Sequence, residues 1–242
     1  MLAGLRRARA VVCVSHATLT DAKRLLISEA GGPSLTVATL GLNYPYRKLP
    51  LDEAAARLKL SGLDPATPFV LHVGSSLRRK NREGAVRMFA RCKDKWNGRI
   101  IFVGDPVTVP MRALGQDLGV SDRMIEVRFP DNELLEALYN RATALLYPSR
   151  FEGFGWPVAE AQACGCPVIC SNIGPLPEVG GEAALLHDVD DEEGFAADIL
   201  RLTDAAERER WSEKSLRNAA RFDPKEMIAQ YLEIYRSLTP QL

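Results

Sequence analysis

The sequence predicts an α/β protein with a Rossmann-like, doubly wound parallel sheet. Two observations predict this class. Short runs rich in valine, isoleucine and leucine alternate with amphipathic helical patterns, and these runs lack a clean alternation of apolar and polar residues. Strands without alternation are typical of a parallel sheet that helices cover on both faces. Because 46% of the 242 residues are hydrophobic, the chain can bury a sizeable core. In such a sheet a ligand binds at the carboxyl ends of the strands.

The predicted elements follow in chain order. Strands are predicted at residues 10–15, 35–40, 69–74, 99–104, 124–129, 144–149, 167–171 and 183–188. Helices are predicted at residues 18–29, 81–94, 109–118, 131–141, 156–164, 191–202, 205–222 and 224–238. The last helix carries an apolar stripe, whose simpler interpretation is packing on the parent sheet. The alternative is a helix that crosses to a neighbouring domain.

The alternation of strands and helices breaks at residues 41–50, where prolines, a glycine and an asparagine indicate a linker. The preceding segment holds two predicted strands and one helix, too little to bury a core of its own. We therefore predict three parts: the end of a larger domain (1–45), a ligand-binding domain (46–222) and a C-terminal amphipathic helix (223–242).

Charge and composition exclude several classes of protein. Equal numbers of basic and acidic residues, 31 of each, argue against nucleic-acid binding. Seven basic residues and one acid between Arg78 and Lys93 nevertheless predict a local site for a small anion. The five cysteines lack zinc or redox spacing, so we expect buried thiols in a reducing cytoplasm. The sequence shows no spanning apolar run and no signal peptide, which also predicts a cytoplasmic protein.

The first stretch that carries chemistry is "HVGSSLRRKNREGAV", residues 72–86. A predicted strand ends at Gly74, and a short loop with Ser75 leads to Arg79 and Lys80 before a helix. Backbone amides at a helix N-terminus, with fixed cations beside them, make a diphosphate site. Taken alone, this stretch favours the alternative of a basic surface turn.

The second stretch is "RFEGFGWPVAEAQACGCPVI", residues 150–169. It predicts a loop with Glu152, Gly153 and Gly155 that runs into a helix carrying Glu160. Glycines allow backbone N–H groups to approach a ligand closely. Carboxylates repel phosphate but accept hydrogen bonds from a vicinal diol, such as that of ribose or a hexose. The alternative is that Glu152 caps the loop and that Glu160 is solvated.

Other site types are disfavoured. Asp188 and Asp190 have the spacing of a metal-binding acidic pair, but acids that precede a helix more often complement its dipole. The sequence contains no GxGxxG fingerprint, Walker loop, GxSxG elbow or HExxH motif. A nicotinamide-dependent Rossmann enzyme is therefore disfavoured.

The stretches "GSSLRRKN", "YPSRFEGFGWPVAEAQACGCPVI" and "GPLPEVGGEAALL" resemble the retaining glycosyltransferases of the GT-B fold, of the group 1 or family 4 type. The resemblance extends through residues 68–238, and its most specific part is the E-x7-E pair of Glu152 and Glu160. It implies that residues 46–222 form the C-terminal, donor-binding half of a GT-B fold, which binds a nucleotide-diphosphate sugar.

The resemblance also implies roles for single residues. Arg79 and Lys80 would hold the diphosphate and stabilise the departing nucleotide without a metal. Glu152 would bind hydroxyls of the donor sugar, and Glu160 would bind the ribose. The implied catalytic residues are thus Glu152, Arg79 and Lys80, and the implied binding set adds Gly74, Ser75, Gly153, Phe154, Gly155 and Glu160. No metal or cofactor is expected, since the nucleotide sugar is a substrate.

The sequence departs from the family in two places. Many members carry arginine where this chain has Ser75. Residues 1–45 resemble only the end of the N-terminal Rossmann-like domain, so about 150 residues are expected to be missing. That domain normally supplies the acceptor site and a histidine facing the donor, and none of His16, His72 or His187 can be assigned to that role.

The leading functional hypothesis is the donor-binding part of a retaining glycosyltransferase. It would act in polysaccharide or glycoconjugate synthesis, in the cytoplasm or peripherally at the inner membrane. The acceptor stays unassigned, and a partner chain or self-association is expected on the apolar surface left by the missing half. The alternative is a non-catalytic sugar-nucleotide binding module or a subunit whose partner supplies the acceptor domain.

Overall fold

The computed structural model describes residues 2–26 and 32–239. The strands are β1 (Ala10–Cys13), β2 (Ser34–Val37), β3 (Phe69–Gly74), β4 (Arg99–Gly104), β5 (Met124–Arg128), β6 (Ala144–Tyr147), β7 (Val168–Ser171) and β8 (Ala184–His187). The α-helices are α1 (Leu2–Arg7), α2 (His16–Leu26), α3 (Leu51–Leu60), α4 (Arg82–Ala90), α5 (Val109–Asp117), α6 (Asn132–Arg141), α7 (Trp156–Ala163), α8 (Leu176–Gly180), α9 (Glu192–Arg201), α10 (Ala205–Ala219) and α11 (Pro224–Leu238). The predicted strands are confirmed to within a few residues. Of the helix predicted at 18–29, residues 27–29 lie outside the described residues.

Two parallel sheets organise the chain. The larger has the strand order β5-β4-β3-β6-β7-β8, and β1 pairs with β2 in a separate small sheet. The chain first builds outward from β3 through β4 to β5, then returns to the other side of β3 with β6. The loops after β3 and β6 therefore open side by side, at the point where the strand order reverses. This is where doubly wound sheets bind their ligands.

Helices cover both faces of the larger sheet, as predicted. Leu71 of β3 packs in one buried cluster with Leu58 of α3 and Val158 of α7. Its neighbour Val70 faces the opposite cluster, with Phe89 of α4. Because successive side chains of a strand point to opposite faces, burial on both faces removes any selection for polar residues along β3. This explains the absence of alternation in the sequence.

Helices α1, α3 and α8 were not predicted. Helix α3 begins directly after Pro50 and carries Asp52 and Glu53 in its first turn, both of which favour a helix start. Helices α1 and α8 are short, so their periodicity carries little signal. The segment before the linker thus holds an additional helix, α1, beyond those expected.

Residues 38–50 form no helix or strand, in line with the predicted break in the alternation; that they link two domains stays a prediction. Helix α11 does not pack on the larger sheet and has no buried residue. Instead, its Gln230 side chain accepts a hydrogen bond from the Thr39 N–H at 3.1 Å. Gly41 touches the start of this helix so closely that a Cβ would lie 2.5 Å from the Pro224 Cα. The absence of buried residues speaks against packing of α11 on the sheet, but both of these contacts lie in residues 38–50 themselves. The crossing of α11 to a neighbouring domain and the three-part domain division stay predictions.

The five cysteines are buried free thiols, as expected. Within residues 2–26 and 32–239, no helix is both long enough and apolar enough to cross a membrane.

Candidate functional site

The loop after β3 is fixed by close packing at the carboxyl edge of the sheet. Gly74 ends the strand, and a Cβ there would lie 3.3 Å from the Lys80 Cδ. Beside it, Gly104 ends β4 with φ at 114°, where a Cβ would lie 2.7 Å from the Gly74 carbonyl oxygen. A left-handed backbone of this kind favours glycine. Gly74 therefore lets the Lys80 stem run close along the end of β3, and Gly104 lets the end of β4 lie against that of β3.

Hydrogen bonds to Asp105 also hold the loop after β3 in place. The Ser76 N–H and hydroxyl both donate to Asp105 Oδ2, at 2.7 and 2.9 Å. Beyond it, a 3₁₀ turn (Arg78–Lys80) leads through Asn81, at φ 51°, into α4. Ser75, which stands where many family members have arginine, makes no side-chain hydrogen bond in the described part of the chain.

Four side chains from the loops after β3 and β6 meet in one cluster. The Lys80 Nζ donates to Glu152 Oε1 at 2.6 Å and to the Tyr147 hydroxyl at 2.6 Å. The Tyr147 hydroxyl in turn donates to Glu152 Oε1 at 2.8 Å. Arg79 Nη1 donates to Glu152 Oε2 at 3.1 Å and to the Phe151 carbonyl at 3.1 Å. The structure thus joins the predicted cations to the first motif glutamate.

The charge balance of this cluster is positive. Burial alone would raise the pKa of the Glu152 carboxyl, but the Lys80 ammonium and the Tyr147 hydroxyl lower it below its usual value. Burial lowers the pKa of Lys80, and Glu152 partly offsets that effect. Burial and the Glu152 charge raise the pKa of Tyr147. Two cations against one carboxylate leave one net positive charge for an anionic ligand.

The second motif glutamate lies in a different setting on α7. Gly155, at φ 103°, precedes the helix, and Pro157 occupies its first turn as predicted. Glu160 follows one turn later, and its Oε2 accepts a hydrogen bond from the Tyr139 hydroxyl of α6 at 2.8 Å. Burial raises the pKa of this carboxyl. Its other oxygen has no hydrogen-bond partner within the described ranges, so it is available to a ligand hydroxyl.

The loop between the glutamates is packed at Phe154 and Gly155 and open at Gly153. The Phe154 side chain is buried edge-on against Phe222, with ring centroids 5.8 Å apart. A Cβ on Gly155 would lie 2.6 Å from Leu176 Cδ2, whereas a Cβ on Gly153 would meet nothing within 4 Å. The role implied for the amides around Phe154 and Gly155 stays a prediction.

Sequence reasoning missed the two tyrosines that hold the motif glutamates. Tyr147 lies five residues before Glu152, and its place at the end of a buried strand was the available signal. Tyr139 had no such signal, because its contact with Glu160 depends on how α6 and α7 pack. The structure does not join Glu160 to the Glu152 cluster by any hydrogen bond between described residues.

The acidic segment at residues 188–191 caps the helix that follows it, through Asp191 rather than through Asp188 or Asp190. The Asp191 side chain accepts from the Gly194 N–H and caps α9, while Asp190 pairs with Arg150 at 2.6 Å. Across residues 2–26 and 32–239, no cluster of three or more histidine, cysteine or acidic side chains has a metal-binding arrangement. His72 is fully buried, and burial lowers its pKa to about 3.

Comparison with known proteins gives a family. Residues 58–218, more than half of the chain, match the family described as "Glycosyl transferases group 1". D-inositol 3-phosphate glycosyltransferase of Acidothermus cellulolyticus is 35% identical over 234 residues, covering 90% of this chain and 52% of that protein. The chain therefore spans about half the length of this curated relative.

Solved structures share the fold. Sucrose-phosphate synthase from Thermosynechococcus elongatus has a TM-score of 0.83 at 28% identity, covering 98% of this chain and 60% of that one. Anabaena Alr3699/HepE, solved in complex with UDP-glucose, has a TM-score of 0.82 at 20% identity, covering 97% and 65%. The family match and the shared architecture together show that this chain belongs to the group 1 glycosyl transferases and has the fold of the C-terminal half of a GT-B protein.

Proposed function

We propose that residues 46–222 bind a nucleotide-diphosphate sugar and act as the donor half of a hexosyltransferase that works with retention. The observation that carries this proposal is the cluster at the reversal of strand order, where Lys80 and Arg79 leave a net positive charge beside the Glu152 carboxylate. Retention is supported by the resemblance of the E-x7-E pair to retaining enzymes. No metal takes part in this proposal, because Arg79 and Lys80 supply the positive charge.

Lys80 has a donor left for a phosphate oxygen. An ammonium carries three N–H donors, and two are used, on Tyr147 and Glu152. The Arg79 side chain is 40% exposed and holds Glu152 with only one of its terminal nitrogens, so its other donors can reach a ligand. As the bond to the sugar breaks, negative charge grows on the diphosphate, and these fixed cations stabilise it.

The glutamates keep acceptor sites for hydroxyl groups. A carboxylate offers about four lone-pair sites, and Glu152 uses three, for Lys80, Tyr147 and Arg79. Glu160 uses one, for Tyr139. In this proposal Glu152 accepts from a donor-sugar hydroxyl and Glu160 accepts from the ribose diol.

The names of the relatives support a nucleotide-sugar donor site, but they do not point to one common acceptor. HepE was solved with UDP-glucose, and the other two names describe transfer to different acceptors. We place the acceptor site in a domain or partner chain that packs against residues 1–45. Synthesis of a polysaccharide or glycoconjugate in the cytoplasm, free or at the inner membrane, fits this site, and the free thiols fit that reducing compartment.

The test is calorimetric titration of the chain with UDP, GDP and ADP, and then with UDP-glucose and GDP-mannose. We expect one nucleotide to bind. We expect Arg79→Ala to weaken that binding about tenfold or more, because a charge-assisted contact contributes about 1.5–3 kcal/mol. Arg91→Ala, which removes an arginine at the far end of α4, is the matched control and should change nothing.

Failure of every nucleotide to bind, or equal loss in Arg79→Ala and Arg91→Ala, would contradict the donor role. Glu160→Ala should weaken the free nucleotide, whereas Glu152→Ala should mainly weaken the sugar nucleotide. If both variants weaken the free nucleotide equally, the proposed division between the glutamates is wrong. Binding without sugar transfer, even with the acceptor domain supplied, would favour a non-catalytic module.

A further inference from the structure

A second cationic region lies beside the donor cluster. A cavity of about 950 Å³ opens at the carboxyl edge of the larger sheet, between the turn before α4, the start of α5 and the loop before α9. Its charged lining consists of five arginines and two acids: Arg78, Arg79, Arg82, Arg87, Arg150, Glu83 and Asp190. Lys80, Glu152 and Glu160 do not line it, so it shares only Arg79 with the donor cluster.

Arg82 is a buried cation that lacks a carboxylate partner in the described parts of the chain. It is 5% exposed, and its terminal nitrogens donate to the Pro106 and Asp105 carbonyls at 3.0 and 2.9 Å. Its Nε has no hydrogen-bond partner among the described residues. Burial lowers its pKa, which reflects the cost of desolvating this charge. Buried charges are normally paired, so an anion in the cavity would complete its environment.

Asn81 adds an unused donor to the same wall. It is 8% exposed, and its Nδ2 has no hydrogen-bond partner within residues 2–26 and 32–239. Gly84 leaves room for this amide, since a Cβ there would lie 2.5 Å from the Nδ2. A buried donor without an acceptor costs about 1–3 kcal/mol. In the observed rotamer this Nδ2 lies against Gly84, and a turn of the amide towards the cavity would let an oxyanion supply the missing acceptor.

Arg78 is the exposed member of the group, and its guanidinium has neither a hydrogen bond nor an ion pair to any described residue. Arg87 and Arg150, by contrast, already pair with Glu192 and Asp190. Arg78 and Arg82 are thus the cations of this lining that form no ion pair with a described carboxylate, although Asp105 and Glu126 lie near enough to Arg82 to favour its charge. They flank Asn81 at the N-terminus of α4, where the helix dipole also favours negative charge.

We infer that Arg78, Asn81 and Arg82 form a second anion site, outside the donor cluster, that binds a phosphate monoester. A dianion with three free oxygens matches two unpaired guanidinium groups and an amide donor. The cavity exceeds the size of a phosphate ion, so a small organic group attached to the phosphate also fits.

The test is titration of the whole chain at low salt, followed by phosphorus NMR, with two probes: inorganic phosphate and glycerol 3-phosphate. Arg78→Ala loses no contact within the protein, and Asn81→Gly keeps the left-handed backbone while it removes the amide. We expect each to weaken binding about tenfold. Arg217→Ala, an exposed arginine of α10, is the matched control and should bind as the wild type does.

A double variant, Lys80→Met/Glu152→Gln, separates this site from the donor cluster without leaving a buried carboxylate unpaired. Binding that persists there but weakens in Arg78→Ala supports the inference. Binding lost in the double variant and intact in Arg78→Ala would overturn it, as would the absence of saturable binding by both probes. Tighter binding of glycerol 3-phosphate would identify an organic phosphate as the ligand, and equal binding would identify the free ion.

Discussion

Glu152 and Glu160 belong to one motif and are equally buried, each 7% exposed, yet their surroundings are opposite. Glu152 contacts two cations and a tyrosine hydroxyl, whereas Glu160 accepts, among the described residues, only the Tyr139 hydroxyl. Burial raises the pKa of both carboxyls, but Lys80 and Tyr147 reverse the effect at Glu152 alone. Because burial is equal at the two positions, the partners explain why the two pKa values shift in opposite directions.

Ionisation of the two glutamates affects the stability of the fold in opposite directions. The ionised Glu152 carboxylate stabilises the fold through its contacts with Lys80 and Arg79, whereas ionisation of Glu160 destabilises the fold. Buried ionisable groups that destabilise a fold are frequent at binding sites. A ligand hydroxyl that donates a hydrogen bond to Glu160 would reduce this destabilisation.

The largest effect is expected from Lys80→Ala, which leaves Glu152 with a single, half-exposed cation. Breaking a buried ion pair costs about 3–5 kcal/mol, and we expect a loss in this range from urea unfolding. Lys48→Ala is the control, because it breaks an exposed pair with Glu209 that contributes at most about 1 kcal/mol. Equal losses in the two variants would show that the Glu152 cluster is not a stabilising ion pair.

The Tyr139 and Tyr147 hydroxyls provide a second comparison of the two glutamates, because each hydroxyl donates to one of them. Tyr139→Phe removes the hydrogen-bond donor of a buried carboxylate that has no cation, so we expect a loss of about 2–3 kcal/mol at neutral pH. Tyr147→Phe leaves Glu152 with Lys80 and Arg79, and we expect a loss of about 1 kcal/mol. Tyr235→Phe, at an exposed tyrosine, is the control for both. A larger loss in Tyr147→Phe than in Tyr139→Phe would contradict the view that cations decide the difference.

Glu160→Gln should raise stability at neutral pH, because burial makes ionisation of this carboxyl less favourable in the folded chain than in the unfolded one. The folded-state pKa of Glu160 lies above its usual 4.5. The wild type therefore has its full stability below that value and loses part of it as the pH rises through the folded-state pKa. The gain of the variant should vanish in acid, as measured by thermal unfolding between pH 4 and 8.

Glu152→Gln should show the opposite sign of pH dependence. Its folded-state pKa is lowered from 4.5, so the wild type is stabilised above that value and loses the contribution as the pH falls through the folded-state pKa. The same titration of stability, extended below pH 4, compares the two variants directly. Curves of equal sign would contradict the pKa directions on which the comparison rests.

The smallest effect is expected at the contact between Ser15, which precedes the linker, and the loop that carries Glu152 and Gly153. The Ser15 hydroxyl donates to the Gly153 carbonyl at 3.1 Å, so Ser15→Ala should cost about 0.5–1.5 kcal/mol. We also expect faster hydrogen exchange of the amides at residues 153–155. Ser237→Ala removes an exposed hydroxyl contact and is the control. Unchanged exchange in Ser15→Ala would show that this contact does not hold the loop.

The sequence determined the strands, most of the longer helices and the motif residues, since these depend on local patterns. Apolar runs without alternation can be buried only as strands of a covered parallel sheet, and glycine is favoured where the backbone is left-handed, as at Gly155. The short helices α1 and α8 escaped prediction because a single turn or two has little periodicity.

Tertiary structure alone decided which charges meet. Lys80 and Glu152 are separated by 72 positions along the chain, and they touch because the order of the strands places the loops after β3 and β6 side by side. The partner of Glu160 depends on the packing of α6 on α7, and the unpaired state of Arg82 depends on which carbonyls reach it. Local pattern fixes which residues can carry charge, but the pKa of each depends on distances across the fold, which no local pattern encodes.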